Sequence, residues 1–277
     1  MYVITELRNT VRLLFNQVLN IAHQLAAFRT YCILNLSYLT FVSLFINVTT
    51  MSKRIDIIDG SKAVSKIYGL IYTCKCGWID LGHANPEGTE GVKNLLWKPM
   101  LSETGKRSRD GKGFKISYSQ VMKKFITAGE TRHYYVKLGL TKQQKESVAL
   151  SIFIEVSTEF ENMQGSLPYS IATKSGFSSE DLISNLLGFY RTVRPGIDYL
   201  LAFQPVSKDA AEKIWDTYGA VENNKNTSFA PFLYPCSECK EKIYGPMCGL
   251  LPEILNTIKP AKKGELFRMW DIWSDGL

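Results

Sequence analysis

A carboxylate and an imidazole stand three residues apart in the segment CKCGWIDLGHANP, as Asp80 and His83. The chain has only three histidines, so a histidine with an aspartate at i−3 is a rare combination in it. We expect residues 77–84 to be helical, which would place both side chains on one face within reach of each other. Asp80 could then fix the tautomer of His83 and leave its other ring nitrogen as a general base or metal ligand. Alternatively, the pair is purely structural, and Asp80 only provides a hydrogen-bond partner for a half-buried His83.

A glutamate on a predicted helix is the second candidate for chemistry. Thr141 and Gln144 form a capping-box pattern, and apolar residues follow at helical spacing as far as about Gly165. Glu155 lies at the edge of the apolar stripe, where apolar neighbours can raise a carboxyl pKa as a general acid or base requires. Acids on amphipathic helices are more often solvated, so a purely structural role stays open.

A third polar group surrounds the start of a helix that we predict over residues 178–190. Serines and acids at a helix start are ordinary caps, and an asparagine among apolar residues needs hydrogen-bond partners. The sequence contains no G-x-S-x-G motif that would make a serine the nucleophile. We therefore expect supporting or structural roles for Thr158, Ser178, Glu180, Asp181 and Asn185.

Two segments resemble the uncharacterised bacterial family DUF4056. Gly77–His83 has the pattern G-x-I-D-x-x-H, and Phe177–Gly188 reads FSSEDLISNLLG, which is the more specific of the two. The resemblance covers roughly residues 65–195. It implies no established activity, but it does imply that Asp80, His83, Glu155 and the segment around 178–185 meet in space.

Members of that family also carry the pattern H-E-x-x-T-W-[FY]-G on an intervening helix. Glu155, Thr158 and Phe160 fit this pattern here, whereas Ile154 replaces the histidine and Glu161 the glycine. The change at Ile154 removes one base or ligand from the family pattern.

The cysteines suggest three different roles. Cys236 and Cys239 have C-x-x-C spacing, which makes them weak candidates for metal ligands and a divalent metal a candidate cofactor. Free structural thiols are an alternative, as is a disulfide within residues 236–248 if the protein leaves the cytosol. The full set is Cys32, Cys74, Cys76, Cys236, Cys239 and Cys248.

Residues 1–50 differ from the rest of the chain. Tyr31–Val48 is free of charge and about 18 residues long, the lower limit for a membrane-spanning helix. Met51 and the residues after it read like an ordinary protein start, so residues 1–50 are either a hydrophobic leader or anchor, or a spurious upstream extension. The protein is membrane-associated in the first case, and cytoplasmic or exported in the second.

For residues 51–277 we predict a single compact domain of the α+β class, predominantly helical, with a few short strands. Its predicted helices include residues 93–101, ended by Pro99, and residues 117–127 and 208–218. Residues 133–137 are predicted to form a strand. A loop-rich C-terminal tail is expected to begin at Pro231.

The net charge of +7 permits an anionic partner. The basic segment 106–115 could meet phospholipid or a cell-wall polymer, whereas no module typical of nucleic-acid binding is present, so we do not expect nucleic acid. Together these features favour a hydrolase of unknown substrate, with His83 as base, Asp80 as its orienting group and Glu155 as partner acid or metal ligand. The alternative is a non-catalytic, envelope-associated binding protein whose polar motif is a structural network.

Overall fold

The computed structural model, which describes residues 52–85, 90–123, 127–165, 178–271 and 274, contains both strands and helices. Residues 51–277 form one compact unit. The predicted leader of residues 1–50, with its apolar run 31–48, lies outside the described residues. Within those residues, no helix has the length and apolar character needed to cross a membrane.

The strands of the described residues form three small antiparallel sheets. The first is a hairpin, the second has the order β3-β4-β7, and the third is a short pair. The strands are β1 (Leu70–Thr73), β2 (Gly77–Asp80), β3 (Gly113–Lys123), β4 (Thr127–Lys137), β5 (Phe232–Leu233), β6 (Met247–Cys248) and β7 (Phe267–Met269).

Helices cover these sheets. A π-helical segment, Glu90–Trp97, leads directly into the first α-helix. The α-helices are α1 (Lys98–Ser102), α2 (Lys142–Gly165), α3 (Asp181–Val193), α4 (Tyr199–Ala202) and α5 (Lys208–Tyr218). Short 3-10 turns lie at Arg54–Asp56, Gly60–Ser65, Val221–Asn223 and Glu253–Leu255.

The β1–β2 hairpin lies between two apolar clusters. Ile71 and Ile79 point into the larger cluster, which α2 and α3 also line, while Tyr72 and Trp78 point into the smaller one beside α5. Because both faces of the hairpin are buried, its sequence is a continuous apolar run without strand alternation. The predicted helix over 77–84 is therefore wrong. Gly77 has φ +66°, and a Cβ atom there would lie 2.1 Å from the carbonyl oxygen of Phe232.

The two long helices α2 and α3 pack through aromatic rings. The ring centroids of Phe153 and Phe189 are 5.0 Å apart. The capping box predicted for α2 is confirmed: Gln144 N donates to Thr141 Oγ1 (3.2 Å), and Thr141 N donates to Gln144 Oε1 (2.9 Å). The predicted helix 208–218 is confirmed as α5.

The prediction of a predominantly helical fold is wrong. Among the described residues 39% are helical and 18% are in strands, which makes this a mixed α+β fold. The predicted helix 117–127 overlaps β3, in which buried Ile116 and Tyr118 alternate with exposed Ser117.

Two other predicted elements have a mixed outcome. Pro99 does not end the helix over 93–101, because it lies in the first turn of α1, where its missing N–H does no harm. The predicted strand 133–137 is confirmed as the end of β4.

Candidate functional site

The turn after β2 meets the start of α3 at a cluster of polar residues. Asp80 N donates to the Oγ atom of Ser184 (3.0 Å). Ser184 lies on α3 and is fully buried. The Oδ1 atom of Asp80 accepts from Gly82 N (2.7 Å) and more weakly from His83 N (3.4 Å). Its carboxylate therefore fixes the backbone of the turn that carries His83.

The imidazole of His83 faces a different carboxylate from the one that its sequence spacing indicated. Nδ1 of His83 lies 3.7 Å from Oδ1 of Asp181, and the other oxygen, Oδ2, accepts from Ser178 N (3.0 Å). The His83 side chain is 48% exposed and that of Asp181 is 10% exposed. A half-exposed imidazole is thus backed by a buried carboxylate that the main chain holds in place.

Glu180 is a second buried acid in this cluster. Only 3% of its surface is exposed, and Oε2 has no hydrogen-bond partner among the described residues. Burial, and then the charges of Asp181 and Asp80, raise the pKa of Glu180 well above its usual value. Burial also raises the pKa of Asp181, but His83 and Ser178 act in the opposite direction. The pKa of both acids is raised, and His83 favours the charged form of Asp181.

Helix α3 holds the turn from the other side. Arg191 Nη1 donates to the carbonyl oxygen of Ala84 (2.8 Å). A Cβ atom on Gly188 would lie 2.8 Å from the carbonyl oxygen of His83, so the glycine permits a close approach of helix and turn. Sequence reasoning assigned no role to Ser184 or Arg191. The only signal for Ser184 was a polar residue in the middle of an apolar helix.

The structure brings together five of the predicted site residues, namely Asp80, His83, Ser178, Glu180 and Asp181. The carboxylate that lies within 4 Å of the imidazole is that of Asp181, whereas Asp80 contacts the backbone of the turn.

The remaining predicted residues lie elsewhere on the helices. Glu155, on α2, accepts hydrogen bonds from Arg132 Nη1 of β4 (3.0 Å) and from Lys263 Nζ of the tail (2.8 Å). Its charge is balanced within that ion-pair network rather than at the β2 turn. Thr158 on α2 and Asn185 on α3 are half-buried.

Cys239 forms a disulfide with Cys74, in the turn between β1 and β2. Because a disulfide leaves no thiolate, the C-x-x-C pair does not supply two metal ligands in this oxidised form. The disulfide expected within residues 236–248 is wrong in its pairing, although Cys239 is one partner. Burial raises the pKa of the Cys76 thiol, so this residue is neutral and inert.

No group of three or more His, Cys, Asp or Glu side chains has a metal-binding arrangement in the described part of the chain.

No family model matches the chain, and neither a curated protein nor a solved structure is similar to it. The resemblance to DUF4056 therefore stays a proposal, carried by the segments GWIDLGH and FSSEDLISNLLG.

Proposed function

We propose that the protein is a hydrolase in which His83 is the general base and Asp181 orients it. One observation carries the proposal: a half-exposed imidazole lies 3.7 Å from a carboxylate that is itself buried. A carboxylate beside one ring nitrogen favours the tautomer that carries its proton there, so the other nitrogen is the one that accepts a proton. Glu155, the third member of the site predicted from sequence, has no part in this proposal.

The proposed reaction needs one proton relay. Asp181 holds the proton of His83 on Nδ1, and Nε2 takes a proton from water as that water attacks an electrophilic carbonyl or phosphoryl centre. The imidazolium then returns the proton to the leaving group. As positive charge develops on the ring, its attraction to the Asp181 carboxylate, 3.7 Å away, grows. In this proposal Glu180 is protonated and neutral. It therefore does not repel the negative charge on Asp181.

A divalent metal would be a further participant in this proposal. No ligand set is assigned to it, because the described residues contain no group of three or more His, Cys, Asp or Glu side chains arranged for a metal. The assay below therefore includes one arm with added divalent cations and one with a chelator.

Substitution of His83 tests the proposal. Wild type and His83→Asn are compared on chromogenic carboxyl esters, amides and phosphodiesters, and we expect the variant to lose roughly 100-fold or more in rate. Its melting temperature should stay within a few degrees of wild type, because the side chain is half-exposed. Turnover unchanged in His83→Asn would contradict the assignment.

His133 provides a matched control for this experiment. It is an exposed histidine on β4, with Nδ1 2.8 Å from Ser117 Oγ. Its replacement by asparagine removes an imidazole of similar exposure without touching the β2 turn. We expect His133→Asn to keep wild-type activity.

A binding protein of the cell envelope is the second candidate function. It is favoured by the hydrogen bonds of Asp80, Ser184, Asp181 and Arg191 at the β2 turn, each of which joins a side chain to the backbone. Such bonds fix packing as well as they orient catalytic groups. The disulfide fits this candidate too, because disulfides persist in oxidising compartments outside the cytosol. Under this candidate, His83→Asn changes stability while wild type turns over none of the substrates.

A further inference from the structure

The outer face of the three-stranded sheet carries a row of cationic and aromatic side chains. The strand register places Lys115 of β3 opposite Tyr135 of β4, and Tyr135 opposite Arg268 of β7. The neighbouring positions Phe114 and Phe267 are buried in the core, which fixes the opposite orientation for this row.

Aromatic rings hold two of these cations in place. The guanidinium carbon of Arg268 lies 4.5 Å from the centroid of the Tyr135 ring, and the Nζ atom of Lys115 lies 5.6 Å from the centroid of the Trp270 ring. Arg268 also donates to Ser274 Oγ (2.7 Å). The cations are therefore positioned before any partner arrives, which lowers the entropy lost on binding.

A basic loop continues this row. Ser108 organises the loop, because its Oγ accepts from Gly113 N (2.9 Å) and lies 2.6 Å from Oδ1 of Asp110. Tyr135 joins loop and sheet, since a Cβ atom on Gly113 would lie 2.3 Å from the Tyr135 ring. We call the cations of the loop and the row the basic face: Lys106, Arg107, Arg109, Lys112, Lys115 and Arg268.

The carboxylates next to the basic face are already used inside the protein. Asp110 accepts from Lys112 N (3.0 Å) and contacts Ser108. Asp271 accepts from Ser274 N (2.8 Å) and from Arg268 Nη1 (3.0 Å). Four of the six cations, those at 106, 107, 109 and 112, have exposed side chains. Against the six cations stand Asp110, Asp271 and, near Arg107, Glu103, so the face keeps a net positive charge.

We propose that the basic face docks the protein on an anionic phospholipid bilayer. Clusters of lysine and arginine on a protein surface are attracted to the negative potential of such membranes. A single-stranded nucleic acid fits less well, because it needs open aromatic faces for its bases. Tyr135 is buried beneath Arg268, and one face of Trp270 is covered by Lys115. None of these residues belongs to the His83 site, so the proposal is independent of the hydrolase proposal.

Vesicle sedimentation with the full chain tests this docking. The vesicles contain phosphatidylcholine alone or with about one third phosphatidylglycerol. Binding to the phosphatidylcholine vesicles measures any contribution of the apolar residues 31–48. The additional binding seen with phosphatidylglycerol measures the contribution of the basic face. The test variant is R107E/K112E, whose two positions are exposed.

We expect this charge reversal to weaken binding to anionic vesicles by roughly tenfold or more, and salt to weaken wild-type binding. The milder variant R107Q/K112Q should weaken it by a smaller factor and keep the wild-type melting temperature, which guards against misfolding. The matched control is K62E/K66E, which gives the same change in net charge at two exposed lysines, Lys62 in the 3-10 turn Gly60–Ser65 and Lys66 directly after it. It should bind like wild type.

Three outcomes would overturn the proposal. The first is equal binding by wild type and R107E/K112E. The second is an equal loss in the control K62E/K66E, which would make net charge alone responsible. The third is wild-type protein that ignores anionic vesicles but binds single-stranded DNA through the same two residues.

Discussion

Glu180 determines how charge is distributed in the candidate site. Its carboxyl is buried beside Asp181 and Asp80, and these surroundings raise its pKa well above the ordinary value of 4.5. The folded protein therefore binds this proton more tightly than the unfolded chain does. Its contribution to stability is complete below about pH 4.5 and is lost as the pH rises through the raised pKa.

Substitution of Glu180 by glutamine tests this distribution of charge. Glutamine has the shape of the protonated acid but cannot ionise. We expect Glu180→Gln to match wild type near pH 4.5 and to be more stable by about 1 kcal/mol or more near pH 8. Urea denaturation across that pH range measures the difference, with the exposed Glu253→Gln as control for the loss of one charge. Parallel stability curves for Glu180→Gln and wild type would contradict the raised pKa.

At this scale the sequence identified the chemical groups but not their pairing. Asp80 and His83 were selected because their spacing suits a helix, yet they occupy a strand end and a turn. The partner of the imidazole, Asp181, was predicted only as a residue of a helix start. A contact between residues so far apart in sequence depends on how the hairpin packs against α3, and no local pattern encodes that packing.

The turn that carries His83 lies in close contact with helix α3. Helix α3 can approach the turn only because Gly188 has no side chain: a Cβ atom there would lie 2.8 Å from the carbonyl oxygen of His83. The backbone at both sides is fixed by hydrogen bonds, including the one from Arg191 to Ala84.

Gly188→Ala should therefore disturb both stability and the proposed activity. We expect a loss of about 1–3 kcal/mol in the free energy of unfolding, since the added methyl group must push the turn away from the helix. Gly245→Ala is the control, because nothing lies within 4 Å of its added methyl group. Thermal unfolding and the substrate assays measure the two effects. A Gly188→Ala protein as stable and active as wild type would show that the approach is not tight.

Helices that begin at a capping residue could be predicted from sequence. The hairpin could not, because its structure depends on which side chains are buried. Helices α2 and α5 begin at the capping residues Thr141 and Ser207, which bond to the first turns as expected for their types. The β1–β2 hairpin has no such signal, because Ile71 and Trp78 face different apolar clusters. The overestimate of helix arose at β2 and β3.

A disulfide between Cys74 and Cys239 joins distant parts of the compact unit 51–277. It closes a loop between residues 165 apart in sequence, and it joins the β1–β2 turn to the C-terminal tail. A covalent link over such a length removes much of the conformational freedom of the unfolded chain. Sequence spacing could not give this pairing, because the two cysteines meet only in the folded chain.

Removal of this bridge should lower the stability of the described fold. We expect Cys74→Ser to lose roughly 3–5 kcal/mol in the free energy of unfolding, and wild type in reductant to lose a similar amount. Urea denaturation with and without dithiothreitol measures both. Cys248→Ser is the matched control, because Cys248 is a free and exposed thiol. Stability that does not respond to the reductant would contradict the pairing.

The same bridge has a consequence for how the protein is made. A chain grows from its N-terminus, so Cys74 is synthesised long before Cys239. By the time the second sulfur exists, the hairpin, α2, α3 and α5 have all been synthesised. The disulfide can therefore form only after these elements have been made. Until Cys239 is synthesised, Cys74 must stay unpaired or in a temporary bond to another cysteine.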